Sequence, residues 1–235
     1  MRFAVVALLV FVAVSRSDFL LPFSLSNDLI EYTARLESSN DSICNVAQLN
    51  YCQYTFNSNF GLNSSISYNN GSSIFRTIQD YLNSNVTQIN KVCKARTNFY
   101  HCLGHSYYSC MNLNSRLESN DTDSSNGFDY IRTFRGLEWI CGGGFKQVIN
   151  QWNCFDDLPT TAAYKSCMTN FNQTISTSHF CPAVQQTGDC LNRVYRNGCD
   201  SLEAGHYGCE NFRFTFDKAC PGLQCSMANI TLIKA

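Results

Sequence analysis

Charge is scarce in this chain. Only 15% of its 235 residues are Asp, Glu, Lys or Arg, and 17 basic residues against 18 acidic ones leave a formal net charge of −1. A nucleic-acid binder needs a basic face to displace counterions from phosphates, and a peripheral membrane protein of the polybasic kind needs the same excess, so both classes are excluded. Long apolar runs are also missing beyond the first residues, which leaves no candidate for a spanning helix of ~20 residues. No Cys-x-x-Cys pair occurs, and Cys220 and Cys225 stand too far apart for a zinc knuckle, so a structural metal centre has no sequence basis.

Cysteine and aromatic residues are what the chain has in quantity. Fourteen cysteines, 44% hydrophobic residues and 13% aromatics describe a folded core rather than a disordered chain. An even count of thiols at this density fits an oxidising compartment, where it becomes a cross-linking framework. The first residues point the same way. Met1-Arg2 forms a short positive start, Phe3 to Val14 is an unbroken apolar run, and Ala13-Val14-Ser15 or Ser15-Arg16-Ser17 places small residues at the positions a signal peptidase reads. Residues 1–17 are therefore expected to be a signal peptide, and the product to be secreted without a membrane anchor. Sequons at Asn40, Asn63, Asn70, Asn85, Asn120, Asn172 and Asn229 are candidate N-glycosylation sites.

The hydrophobic period is helical throughout, with no sustained two-residue alternation. Ile74, Phe75, Ile78, Tyr81 and Leu82 mark a helix behind Ser72-Ser73. Further helices are expected at about 87–100, 128–140, 145–152 and 164–171, the last two following the Gly142-Gly143-Gly144 break, which reads as a hinge. The C-terminal part reads as a hairpin: Pro182 in a first turn, Gly198 as a left-handed stop, then Asp200 and Glu203 spaced as a capping box for a helix over 201–218. The fold class is all-α, a disulfide-stapled array of about six to eight short helices.

Cysteines eight or nine residues apart on one helix lie ~12–13 Å apart, beyond the ~7 Å a disulfide tolerates, so bridges must run between elements. Cys44, Cys52, Cys93, Cys102, Cys110, Cys141, Cys154, Cys167, Cys181, Cys190, Cys199, Cys209, Cys220 and Cys225 allow on the order of 10⁵ pairings. Antiparallel hairpin geometry names two of them, Cys181–Cys220 and Cys190–Cys209. The polar stretch 112–127 resembles a linker, yet five cysteines precede it and nine follow, so a fully oxidised chain has a bridge across it. The expected organisation is an N-terminal arm at 18–43, one cysteine-rich domain over 44–225 with 112–127 as a surface loop, and a tail at 226–235. Phe19 to Leu25, with Pro22 inside it, is an apolar arm that either belongs to a propeptide or packs on the core.

Catalytic patterns are incomplete. Gly104-His105-Ser106 begins like a nucleophile elbow, but Tyr108 occupies the position of the second glycine. His101 and His105 are one turn apart without the acid of a metalloprotease helix, and an oxidised Cys102 ligates no metal. Gly142-Gly143-Gly144 lacks the lysine and hydroxyl of a phosphate loop. Phe212 and Phe216 share a helix face while Phe214 points elsewhere, toward a second buried side, an apolar pocket or a contact surface.

Gly136-Leu137-Glu138-Trp139-Ile140-Cys141-Gly142, then Trp152-Asn153-Cys154-Phe155, together resemble a motif of nematode secreted cysteine-rich domains of unknown function. Cys181, Cys190, Cys199, Ala204, Cys209 and Cys220-Pro221-Gly222-Leu223-Gln224-Cys225 are similar to that group's C-terminal half. The resemblance spans about Cys44 to Cys225. It implies a secreted, helical, disulfide-rich fold with no established enzymatic activity and no catalytic residues to carry over; no cofactor is expected, and an enzyme would have to be a hydrolase with an unfamiliar site. A neighbouring group comprises chondroitin-proteoglycan core proteins, but this chain has no Ser-Gly dipeptide for glycosaminoglycan attachment. The function expected is that of an extracellular interaction or structural protein, whose partner is another protein or a matrix component. The alternative is a soluble carrier of a small hydrophobic ligand.

Overall fold

The computed structural model describes residues 18–37, 43–118 and 123–227. The proposed signal peptide lies outside them. Eleven α-helical segments follow in chain order among the described residues: α1 (Asn27–Leu36), α2 (Val46–Ser58), α3 (Gly71–Leu82), α4 (Val86–Leu103), the single turn α5 (Tyr107–Cys110), α6 (Leu113–Glu118), α7 (Ser124–Ile140), α8 (Phe145–Asp157), α9 (Ala162–Thr174), α10 (Phe180–Cys199) and α11 (Leu202–Phe216). No strand occurs among them, so the chain is all-α. The count exceeds the six to eight expected because α1 falls within the N-terminal arm and because α5 and α6 are too short to show a period.

α7 is the centre of the array. It packs against α1, α3, α4, α6, α8 and α11, and it buries Tyr130, Ile131, Phe134, Leu137 and Ile140 together with Arg132, Thr133 and Arg135. A helix buried on most of its circumference has little amphipathic contrast, so its apolar stripe alone does not announce its position. Its closest crossing is with α3. A side chain at Gly71 would collide with the Asn126 carbonyl, and a neighbouring pair of bonds fixes the register: the Ser72 amide donates to Asn126 Oδ1 at 3.1 Å and the Ser72 hydroxyl to Asp129 at 2.6 Å. Ser72, just ahead of the apolar face of α3, is thus used between helices.

The segment 112–127 is not a surface loop throughout. Asn112 Oδ1 accepts from the Ser115 amide at 2.9 Å and starts α6, Leu113 is fully buried, and α7 begins at Ser124. Asn and Ser, the residues that suggest a loop, also satisfy the orphan amides of a helix start. The same ambiguity shifts the hairpin turn. Gly198 stays helical against Leu158, Asp200 takes the left-handed conformation at φ 47°, and Ser201 caps α11 by accepting from the Ala204 amide at 3.2 Å.

Seven disulfides use all fourteen cysteines: Cys44–Cys110, Cys52–Cys102, Cys93–Cys141, Cys154–Cys199, Cys167–Cys190, Cys181–Cys220 and Cys209–Cys225. Cys181–Cys220 is one of the two hairpin pairs, whereas the expected Cys190–Cys209 bridge is corrected. Nine residues at ~100° each turn a helix by about half a revolution, so Cys181 and Cys190 occupy opposite faces of α10. Cys181 faces α11 and its C-terminal extension. Cys190 faces α9, where it meets Cys167, and Cys209 sits against Gly188 and closes on Cys225. One bridge, Cys93–Cys141, crosses 112–127.

Candidate functional site

Phe19 to Leu25 runs extended into the core. Phe19, Leu20, Leu21, Phe23 and Leu25 are buried while Pro22 and Ser24 are exposed, so burial alternates from Leu21 to Leu25 as along an extended segment. Side chains of the helices satisfy its backbone, as a groove satisfies a bound peptide. Asn211 Nδ2 donates to the Phe19 carbonyl at 2.8 Å, the Leu20 amide donates to Gln79 Oε1 at 2.7 Å, and Arg132 donates to the carbonyls of Leu21 and Phe23 at 3.2 and 2.5 Å. Phe23 enters a cage of Phe128, Phe171, Phe212 and Phe216, with ring centroids 5.4 to 6.1 Å away. Burial works against the charge of Arg132 and lowers its pKa, but Asp129 at 2.8 Å and the rings of Phe75, Phe23 and Phe128 hold the cation in place. Of the two sequence alternatives for this segment, the structure shows the one in which it packs on the core.

A second feature opens to solvent. Glu37, just past α1, and Arg135 of α7 form a buried bidentate pair at 2.6 and 2.7 Å. The carboxylate also accepts from the Leu113 amide at 3.0 Å, and the guanidinium donates to the carbonyls of Met111 and Thr215 at 3.2 and 3.3 Å. Burial opposes the Arg135 charge, yet the adjacent Glu37 outweighs it and holds the pKa above its ordinary value. Above this pair lies a cleft of about 420 Å³, lined further by Tyr108, Met111, Asn112, Glu138, Asp217 and Lys218. Glu138 lies 3.7 Å from Arg96, which covers the rings of Tyr100 and Tyr107. Tyr108 joins this tyrosine cluster and is 54% exposed. The walls offer hydrogen bonds, charges of both signs and an exposed ring, which suits recognition of polar groups.

None of the four histidines lines this cleft. His101 and His105 are exposed, with Gly104 between them at φ 53°, and no group of three metal-ligating residues occurs among the described residues. His206 packs against Trp139 with centroids 6.0 Å apart. The glycines after Cys141 have a packing role rather than that of a hinge: the Trp139 indole lies where side chains at Gly143 and Gly144 would stand, at 2.6 and 2.8 Å. Phe214 leans on the same indole at 5.3 Å and is half-buried, while Phe212 and Phe216 are fully buried, so the α11 phenylalanines pack on two sides of the helix.

Crevices with partly apolar walls are small. One beside the arm at Leu20, Phe23 and Phe75, and one in the hairpin at Val184 and Phe212, hold about 10 Å³ each. A further depression of about 280 Å³ is lined by polar residues such as Lys146 and Glu203. Sequons Asn63, Asn70, Asn85 and Asn172 are exposed; Asn40, Asn120 and Asn229 lie outside the described residues. Asn85 caps α4 through Oδ1, which a glycan on Nδ2 leaves free to accept. No family model, curated protein or solved structure matches the chain.

Proposed function

We propose that the chain is a secreted, glycosylated protein that acts by contacting another protein or a matrix component, through the face around the charged cleft. One observation carries this reading: the interior is filled by the chain's own Phe23, while the 420 Å³ concavity is charged, open and flanked by exposed Tyr108. Drug-sized apolar ligands need pockets of ~300 Å³ or more with mostly apolar walls, so the same observation disfavours the carrier alternative. Seven disulfides and the lack of a helix long and apolar enough to cross a membrane, among the described residues, support export. The residues around Trp139 and the C-terminal cysteines support kinship with the nematode secreted cysteine-rich domains.

A photo-crosslinking phenylalanine analogue at position 108, compared with one at exposed Lys165 on α9, tests the contact face in native extracellular extract. A discrete adduct is expected from position 108, and its loss is expected when Glu138 and Asp217 are both changed to Lys. Equal labelling from both positions, or an adduct indifferent to the charge reversal, refutes the assignment.

A further inference from the structure

α2 has two faces of different character. Leu49, Cys52, Gln53, Phe56 and Asn57 turn inward, and the bridges Cys44–Cys110 and Cys52–Cys102 tie this stretch to the rest of the array. Outward stand Val46, Ala47, Asn50, Tyr51 and Tyr54, with Ile43 just before the helix. Ile43 is 92% exposed, Tyr51 68%, Tyr54 57% and Val46 41%, and these four are half of the exposed large hydrophobic residues among those described. At roughly 150–250 Å² for a large side chain they offer on the order of 500 Å², against the ~800 Å² that a stable interface takes from each partner. Patches of this size mark contact surfaces. The face is also without charge: no residue from Ser42 to Phe75 is Asp, Glu, Lys or Arg, in a chain where 15% are. None of the residues lining the charged cleft belongs to α2, so this surface is separate from the contact face proposed above.

We propose that α2 packs antiparallel against α2 of a second copy of this chain, about a two-fold axis that passes midway between Ala47 and Asn50. A charged face repels its own image, whereas an uncharged one meets it at no such cost. The spacing supplies the complementarity. At ~100° per residue the outward positions of α2 fall on one arc of about 140°, and the point midway between Ala47 and Asn50 lies at its centre. Rotation about an axis through that point lays Tyr51 of each copy over Val46 of the other and Asn50 over Ala47, and it brings Tyr54 toward Ile43. Each ring thus meets an aliphatic side chain, and the small Ala47 lets the two helices approach. The antiparallel arrangement also opposes the two helix dipoles. Tyrosine joins a large apolar ring to a hydroxyl that water can hold, which suits a surface exposed in the single chain and covered in the pair.

The chain made by a secretory host, glycans retained, is followed by sedimentation equilibrium from about 1 µM to about 300 µM, a range suited to an interface of this size. The weight-average mass is expected to approach twice the monomer value. Tyr51→Lys alone and Val46→Glu alone are each expected to hold it at the monomer value, with far-UV circular dichroism unchanged because both side chains reach solvent in the single chain. An equimolar mixture of the two variants is expected to regain the dimer, since the introduced charges then face each other across the axis. A wild-type mass that stays at the monomer value throughout overturns the dimer. A dimer indifferent to both variants overturns this face as its seat, and a mixture that stays monomeric overturns the register.

Discussion

Phe23→Ala tests whether the arm is part of the core. The ring is 3% exposed and touches Phe128, Phe171, Phe212 and Phe216, with the Arg132 guanidinium 5.0 Å from its centroid. Removing it forfeits about 2 kcal/mol of transfer free energy. A ring-sized void of roughly 80 Å³, at ~24 cal/mol per Å³, adds about 2 kcal/mol more where the cage does not collapse. Four sides of the cage are themselves aromatic rings on helices tied by disulfides, so little collapse is expected. The predicted loss is about 4 kcal/mol, read from the urea midpoint by tryptophan fluorescence with disulfides intact. Trp152 lies against Phe19 and reports on the same arm. A loss below ~1 kcal/mol would refute the reasoning, because it would mean that the arm leaves the core at little cost and that a groove stands open in solution.

Glu37→Gln leaves the buried Arg135 charge without its carboxylate and is expected to cost about 3–5 kcal/mol in urea unfolding; adding Arg135→Met should restore part of it, and a cost under 1 kcal/mol would contradict the burial of the pair. Gly71→Ala drives a methyl into the α7 backbone at Asn126 and should cost about 2 kcal/mol or more, whereas Gly222→Ala, with open space around it, should be close to neutral. Peptide mapping without reduction should recover Cys167 joined to Cys190 and Cys209 joined to Cys225; a Cys190–Cys209 peptide would restore the simple hairpin and refute the arrangement of α9. The Asp18 carboxyl is pushed by burial up to about 6 from 3.8. The folded state then binds the proton more tightly than the unfolded one. Stability should therefore rise, on the order of 1 kcal/mol after allowance for partial exposure, as pH falls from 7 to 4, and Asp18→Asn should flatten the profile.

Elements with one apolar stripe were legible in the sequence, and elements buried all round were legible only in part. α3 shows its face in Ile74, Ile78 and Leu82, and the prediction ends within a residue of the helix. α7 was recognised from Phe128 onward, but its first turn, Ser124 to Gly127, carries only polar residues and glycine, which local pattern assigns to a loop. Axial arithmetic found that Cys181 and Cys220 stand at one height on the hairpin. The angular half of the same arithmetic, nine residues to half a revolution, places Cys190 on the far face. The charged cleft was not legible, because Glu37, Tyr108, Glu138 and Asp217 are scattered along the chain and converge only through the packing of α1, α5, α7 and the end of α11. Arg135, set between the apolar positions Phe134 and Leu137 of α7, is the residue whose pattern could have pointed there.

The arm also adds what the parity of cysteines leaves out of the argument for one domain. Cys44–Cys110 and Cys52–Cys102 lie wholly before 112–127, four bridges lie wholly after it, and Cys93–Cys141 alone ties the two sets covalently. One bridge would tether two separate domains as readily as it would hold one together. What makes a single core is that α7 packs on helices from both sets, while the arm bonds to Gln79 in α3, Arg132 in α7 and Asn211 in α11. Phe23 then closes the space between them with a side chain from the very start of the described chain. The segment that one sequence reading assigned to a discarded propeptide is therefore what joins the two disulfide clusters.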